Sequence, residues 1–182
     1  MARIIKQYQS EIYGNYRLAY ATYGVLTGFL LALVLVLQRA IMQSNPPLAP
    51  ESFVADAVLA VAIFLSAYRY RSTLPDKQVM LKELLLLGMG TAIVAAVVYG
   101  LLLWLILGTV YTDLVETFIT HRLSLMPSAD EGAEAAIAID KTRAYTAGDW
   151  AFIGGFRIFV ISIVFTFFSA IIFRTQKSPI KQ

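Results

Sequence analysis

At 182 residues, 58% of them hydrophobic and 15% charged, with a mean hydropathy of +0.67, the chain is too apolar for a water-soluble domain, in which about a quarter of residues are charged. Its net charge of +3 does not indicate a nucleic-acid partner: such a protein gathers Lys and Arg on one folded face, whereas here they stand at the edges of apolar runs. The lack of cysteine excludes disulfides, thiolate zinc, iron–sulfur ligation and a cysteine nucleophile, and the single histidine, His121, excludes bis-histidine haem and histidine-cluster metal sites.

A polar, tyrosine-rich arm opens the chain and is followed by an apolar run over about 18–37. That run is long enough to cross a hydrocarbon layer of about 30 Å and longer than a secretory core of roughly 7 to 15 residues, so it is expected to remain as a membrane helix. Gly24 and Gly28 form a G-x-x-x-G pair within it, and Tyr13, Tyr16, Tyr20 and Tyr23 mark its first interface. Pro46, Pro47 and Pro50 cannot continue a helix and predict a short turn. A second span follows at about 53–70, with Asp56 roughly one turn inside its start.

Next comes a basic interruption broken at Pro75, carrying Arg69, Arg71, Lys77 and Lys82 and flanked by Tyr68 and Tyr70. The third span, about 84–107, places Gly88, Ala92, Ala96 and Gly100 at four-residue steps, the spacing that lets membrane helices approach closely. It is expected to be the most buried helix. No charge interrupts 84–112, and Tyr111, Leu114, Val115, Phe118 and Ile119 recur at helical spacing beyond it. This predicts one continuous helix that leaves the membrane and ends near Met126 and Pro127.

An external segment over about 112–150 is expected to hold a short helix, opened by a Ser128-to-Glu131 capping box and stopped at Gly148. The fourth span, about 153–173, carries Arg157 one turn inside its outer end and is rich in phenylalanine. The expected fold is therefore all-α: a polytopic four-transmembrane-helix bundle forming a single domain over 1–182. The glycine and alanine faces serve packing within the bundle, with docking on a partner or a second copy as the alternative.

Cytoplasmic segments are enriched in Lys and Arg. The N-terminal arm, the second connection and the tail together hold ten of these residues against five on the opposite side, while nine of the twelve acidic residues lie opposite. Both termini are therefore expected in the cytoplasm, with Arg69, Arg71, Lys77 and Lys82 meeting anionic headgroups at about 1 kcal/mol each.

Asp56 and Arg157 are the ionisable residues within the spans, where charges are costly and are functional candidates by default. Both enter from the same edge at matching depth, so they are expected to pair, a structural role in the first place and a substrate or proton site in the second. His121 with Glu116, Asp130, Glu131, Glu134 and Asp140 has no recognised metal-ligand spacing. Gly88 to Gly90 is no nucleotide fingerprint, since it lies inside an apolar span. No catalytic residue, cofactor site or metal site is expected. The expected role is a non-enzymatic accessory or structural subunit of a bacterial inner membrane, in contact with the lipid bilayer and with other membrane subunits or itself; the alternative is a small oligomeric transporter or channel with Asp56 and Arg157 near its outer mouth.

The stretch AIFLSAYRYRSTLPDKQVMLKELLLLGMGTAIVAAVVYGLLLWLI, followed by YTDLVETFITHRLS, resembles a family of four-span bacterial membrane proteins known as domain of unknown function 4199. Tyr68 and Arg69, Lys82 and Gly88 carry the resemblance. It implies a span ending in a Tyr-Arg exit, a short basic loop, and a third span that leaves as an amphipathic outer helix. It implies no activity.

Overall fold

The computed structural model describes residues 2–41, 53–74, 79–126 and 133–174. Among them the chain forms helices α1 (Ala2–Ile41), α2 (Phe53–Thr73), α3 (Leu81–Leu105), α4 (Asp113–Ser124), α5 (Ala133–Arg143) and α6 (Ala147–Phe173), with a π-helical turn at Ile106–Val110. Four stretches are long and apolar enough to cross a membrane: Ala19–Ile41, Phe53–Ser72, Leu81–Val110 and Ala147–Phe173. In hydrocarbon a helix satisfies its own backbone groups, which is why apolar runs of this length settle as helices.

Around the bundle the contact order is α1, α3, α6, α2, with α1 and α6 at opposite corners. Each span turns one stripe inward. On α2 this is Ala55, Leu59, Ile63, Ser66, Ala67 and Tyr70, whereas Val54, Val61, Leu65 and Tyr68 face out. Outward apolar residues such as Phe29, Leu33, Val97 and Phe167 would be a liability in water and are the expected lipid contact in a bilayer. α3 is the hub, contacting α1, α2 and α6, yet it is not the most buried span, because Leu86, Ile93, Val97, Leu101 and Trp104 line an exposed stripe. A central position and a lipid-facing stripe coexist when the neighbours leave one side uncovered.

Two apolar clusters fill the interior. One, toward the end where α1 finishes, includes Leu31, Leu59, Tyr99, Leu103, Phe118 and Trp150; the other, toward the opposite end, includes Ala67, Tyr70, Leu84, Leu87 and Ala170. Between them lies a layer of small and hydroxyl residues, with Thr27, Ser66, Thr91, Ser162, Thr166 and Ser169 all buried. Four of these hydroxyls donate to their own helix's carbonyls: Thr27 to Tyr23, Ser66 to Ile63, Ser162 to Ile158 and Ser169 to Thr166. That pattern satisfies a buried hydroxyl without tying helices together.

Three expectations need correction. The third span does not run on as one helix to Met126: it closes in the π turn, where the Tyr111 amide donates to the Ile106 carbonyl, and Tyr111 itself leaves helical geometry at φ −127° and ψ 60°. Gly108 and the β-branched Thr109 and Val110 hold helix poorly, and the break lets Leu114 and Phe118 bury fully instead of following α3 outward. Gly148 does not stop the external helix; α5 ends at Arg143 and Gly148 lies in the first turn of α6. Here Thr146 is a strong start signal, its Oγ1 and amide both donating to Asp149 and its Oγ1 accepting from the Asp149 amide. α3 is the third, as described above. The expected proline turn and the Ser128-to-Glu131 cap lie outside the described residues.

Candidate functional site

The charged side chains inside the spans converge at the end of the bundle where α1 and α3 finish and α2 and α6 begin. Arg157 Nη2 donates to Asp56 Oδ2 at 2.7 Å, joining α6 to α2. Both side chains are only about a quarter exposed or less, at 20% and 25%. Asp56 lies within the first turn of α2 and Arg157 in the third turn of α6, so α6 begins farther out than α2 and the two residues still meet. At the same end Arg39 of α1 pairs with Asp113 of α4, a partnership that sequence reading missed. The charge signs and the placement of both at span ends were legible, but the turn that brings α4 back over α1 was not.

α4 lies across this end. Its Leu114 and Phe118 are fully buried, and the Phe118 ring meets Trp150 edge-on at 5.4 Å, while Tyr145 packs on Trp150 from another side at 5.6 Å. α5 folds back on α4, where buried Thr142 donates to the Ala138 carbonyl and touches Met126 Sδ at 3.7 Å. The result is a helical lid over the apolar cluster at this end, clamped by an ion pair and an aromatic contact. Beneath it Asp56 Oδ1 and Trp150 Nε1 are buried without hydrogen-bond partners.

The small residues predicted to pack do so between helices of this chain. A Cβ on Gly24 would stand 2.5 Å from Val94 Cβ, one on Gly28 2.7 Å from Val98 Cβ, and one on Gly88 2.9 Å from Thr166 Cβ. Gly24 and Gly28 thus seat α1 on α3, and Gly88 seats α3 on α6. Gly100 faces Ala151 and Gly155 of α6, and a Cβ on Gly155 would come 3.0 Å from the Ala96 carbonyl oxygen. Ala92 is fully buried and Ala96 half-buried. Gly90, seen in the sequence only as part of a motif that fails, makes room for the Tyr20 ring, whose Cγ would stand 2.7 Å from a Cβ added there; Tyr20 therefore packs on α3 as well as marking an interface.

On the opposite end, Arg69 and Lys82 are exposed and Arg71 half-buried beside buried Tyr70; Lys77 lies outside the described residues. The Glu83 carboxylate accepts from the Met80 amide at 3.1 Å and starts α3. Of the dispersed acids near His121, Glu116, Glu134 and Asp140 are exposed, and among the described residues no group of three His, Cys, Asp or Glu stands together.

Four lipid-length apolar helices, an inward small-residue layer and outward apolar stripes define a multi-pass integral membrane protein. A family model described as "Protein of unknown function (DUF4199)" matches residues 22–175, and the chain belongs to that family. No curated protein and no solved structure matches it.

Proposed function

We propose that this protein is a non-enzymatic accessory or structural subunit of the bacterial inner membrane, which packs within the bilayer and presents α4 and α5 as a structured surface outside it. The observation that carries this reading is the lid: α4 is held by its own Phe118 packed on Trp150 and by Arg39, while Glu116, Thr120 and Arg122 on α4 and Glu134, Asp140, Lys141 and Arg143 on α5 stay exposed. A rigid base with an exposed polar top suits a partner surface. The hydroxyl layer supports the same reading, since four of its six hydroxyls bond within their own helices and the layer carries no charge to build a path across the bilayer. The ten-to-five division of Lys and Arg supports cytoplasmic termini and an external lid.

The test is purification from native membranes in mild detergent. A stoichiometric complex with another membrane protein that dissociates when Glu116, Glu134 and Asp140 are changed to Lys supports the subunit reading. A second reading, a small oligomeric transporter or channel with Asp56 and Arg157 near its outer mouth, draws on the buried Asp56 Oδ1 that lacks a hydrogen bond beside Arg157. An isolated homo-oligomer that moves solute in vesicles, and loses this with Asp56→Asn, would favour it instead.

A further inference from the structure

α4 and α5 join the spans through two short connections: the π turn at Ile106–Val110, and the turn after α5, where the Ala144 and Tyr145 amides donate to the Lys141 and Thr142 carbonyls at 3.2 Å. A π turn takes in one residue more than the α-helical ladder does, and helices kink at such points. Leu107 is fully buried and fixes the end of α3, whereas Gly108, Thr109 and Val110 beyond it are exposed. Nothing stands within 4 Å of where a Cβ on Gly108 would be, so the joint has open space around it. Thr109 Oγ1 donates to the Leu105 carbonyl at 2.6 Å, a side-chain bond that bends and slightly weakens a helix.

The closed position gains apolar contact and loses polar hydration. It buries Leu114 and Phe118 and forms the Arg39–Asp113 pair, in which the Asp113 side chain stays more than half exposed. Against this, Trp150 Nε1 and Asp56 Oδ1 are buried with no hydrogen-bond partner, and a polar atom left so gives up its water for nothing in return. Phe118 lies on the Trp150 ring, so lifting α4 returns water to that indole. Segments that carry such a cost stand at the low-stability end of a fold and open before the rest. We propose that α4 and α5 form a cover hinged at Gly108 that opens in the folded protein, uncovering Trp150 at the end of the bundle where Asp56 meets Arg157. The partner reading needs only a surface; the hinge gives that surface two positions, and it stands whether or not a partner docks there.

The chain has no cysteine, so one introduced thiol reports opening by its rate of modification. In the full chain in detergent, Leu114→Cys places that thiol on the buried side of α4, and Ser162→Cys places a control inside the bundle. N-ethylmaleimide should reach Leu114→Cys far faster than Ser162→Cys. On the Leu114→Cys background Gly108→Ala, which has room for its methyl group, stiffens the joint and is expected to slow labelling about two- to fivefold. Asp113→Lys sets like charges opposite Arg39 and should quicken it about two- to fivefold, and Arg39→Asp added to it should reverse the change. Neither Gly108→Ala nor Asp113→Lys should alter labelling of Ser162→Cys. A second measurement needs no buried thiol: spin labels on exposed Ser72→Cys and on Ser124→Cys, at the far end of α4 from the joint, are read by double electron–electron resonance. Asp113→Lys should add a second distance that Arg39→Asp removes. Labelling of Leu114→Cys that ignores both Gly108→Ala and Asp113→Lys, or that changes in step with Ser162→Cys, would overturn the hinge, as would a single distance that Asp113→Lys leaves unchanged.

Discussion

Arg157 and Asp56, 101 residues apart, share a hydrogen-bonded ion pair that joins the third turn of α6 to the first turn of α2. Removing one partner of a fully buried pair costs about 3–5 kcal/mol, because the other charge is stranded. Here partial exposure reduces that to about 2 kcal/mol for Asp56→Ala or Arg157→Ala. The double change Asp56→Asn with Arg157→Gln strands no charge and should recover most of the loss. Thermal unfolding in detergent and accumulation in the membrane measure both; a double variant no better than the singles would count against the pair as a structural unit.

The close approach of α1 to α3 gives a second expectation. Gly28→Val would drive a branched side chain into Val98 and toward the Ala95 carbonyl oxygen, 3.0 Å from where its Cβ would stand. Overpacking of this kind costs about 1–3 kcal/mol, or more where backbone must move. Val98→Ala should return part of the loss in Gly28→Val and not in Gly88→Val, since Gly88 meets Thr166 on the other side of α3. Rescue of both by Val98→Ala would mean a general loosening instead of a specific contact.

These two relationships differ in how legible they were. The four spans follow from the thickness of a bilayer, which asks only for apolar length, and the pairing of Asp56 with Arg157 follows from counting inward from the starts of the apolar runs near 53 and 153, although α6 itself begins earlier, at Ala147. The direction in which Gly24 and Gly88 face is also periodic and readable, though not the identity of Val94 or Thr166 opposite. The break after α3 was obscured because no charge interrupts Gly108 to Val110, so a scan for charged ends passes over a change that the burial of Phe118 decides. Gly148 misled for a local reason: glycine commonly ends a helix, and the Thr146 to Asp149 cap two residues earlier outweighs it.

The lid provides the third expectation. Phe118 is fully buried against Trp150, and truncating such a ring costs about 3–5 kcal/mol where the cavity cannot close. α4 lies at the end of the bundle, so Phe118→Ala should be expressed mainly as local opening. Amide hydrogen exchange over 113–124 should quicken strongly while exchange in the middle of α3 changes little. Asp113→Asn, which removes the charge opposite Arg39, should produce the same pattern more weakly, at about 1 kcal/mol or less for a pair this exposed. Equal acceleration across all spans would show that α4 is part of the bundle's global core and not a separable lid.

A smaller effect is expected at the start of α6. Thr146→Ala removes the hydroxyl that accepts from the Asp149 amide and should cost about 1 kcal/mol, the typical value for an N-cap. Thr146→Ser keeps the oxygen and should be nearly neutral. Exchange at the amides of Gly148 and Asp149 measures the fraying directly, and an unchanged rate in Thr146→Ala would show that the packing of Trp150 alone holds the turn.

The orientation proposed from the Lys and Arg division can be read with two single cysteines, because the chain has none of its own. Ser72 at the exit of α2 and Ser124 at the end of α4 are both exposed, and each hydroxyl bonds only to a carbonyl of its own helix, Ser72 to Arg69 and Ser124 to His121, so Cys at either is expected to leave the fold intact. They lie at opposite ends of the bundle. In intact cells with a permeable outer envelope, a thiol reagent that cannot cross the inner membrane should label Ser124→Cys and spare Ser72→Cys until the membrane is broken. The reverse order would place the basic patch outside, against the tendency of Lys and Arg to remain on the cytoplasmic face. It would also move Arg69, Arg71 and Lys82 away from the leaflet whose anionic lipids attract them.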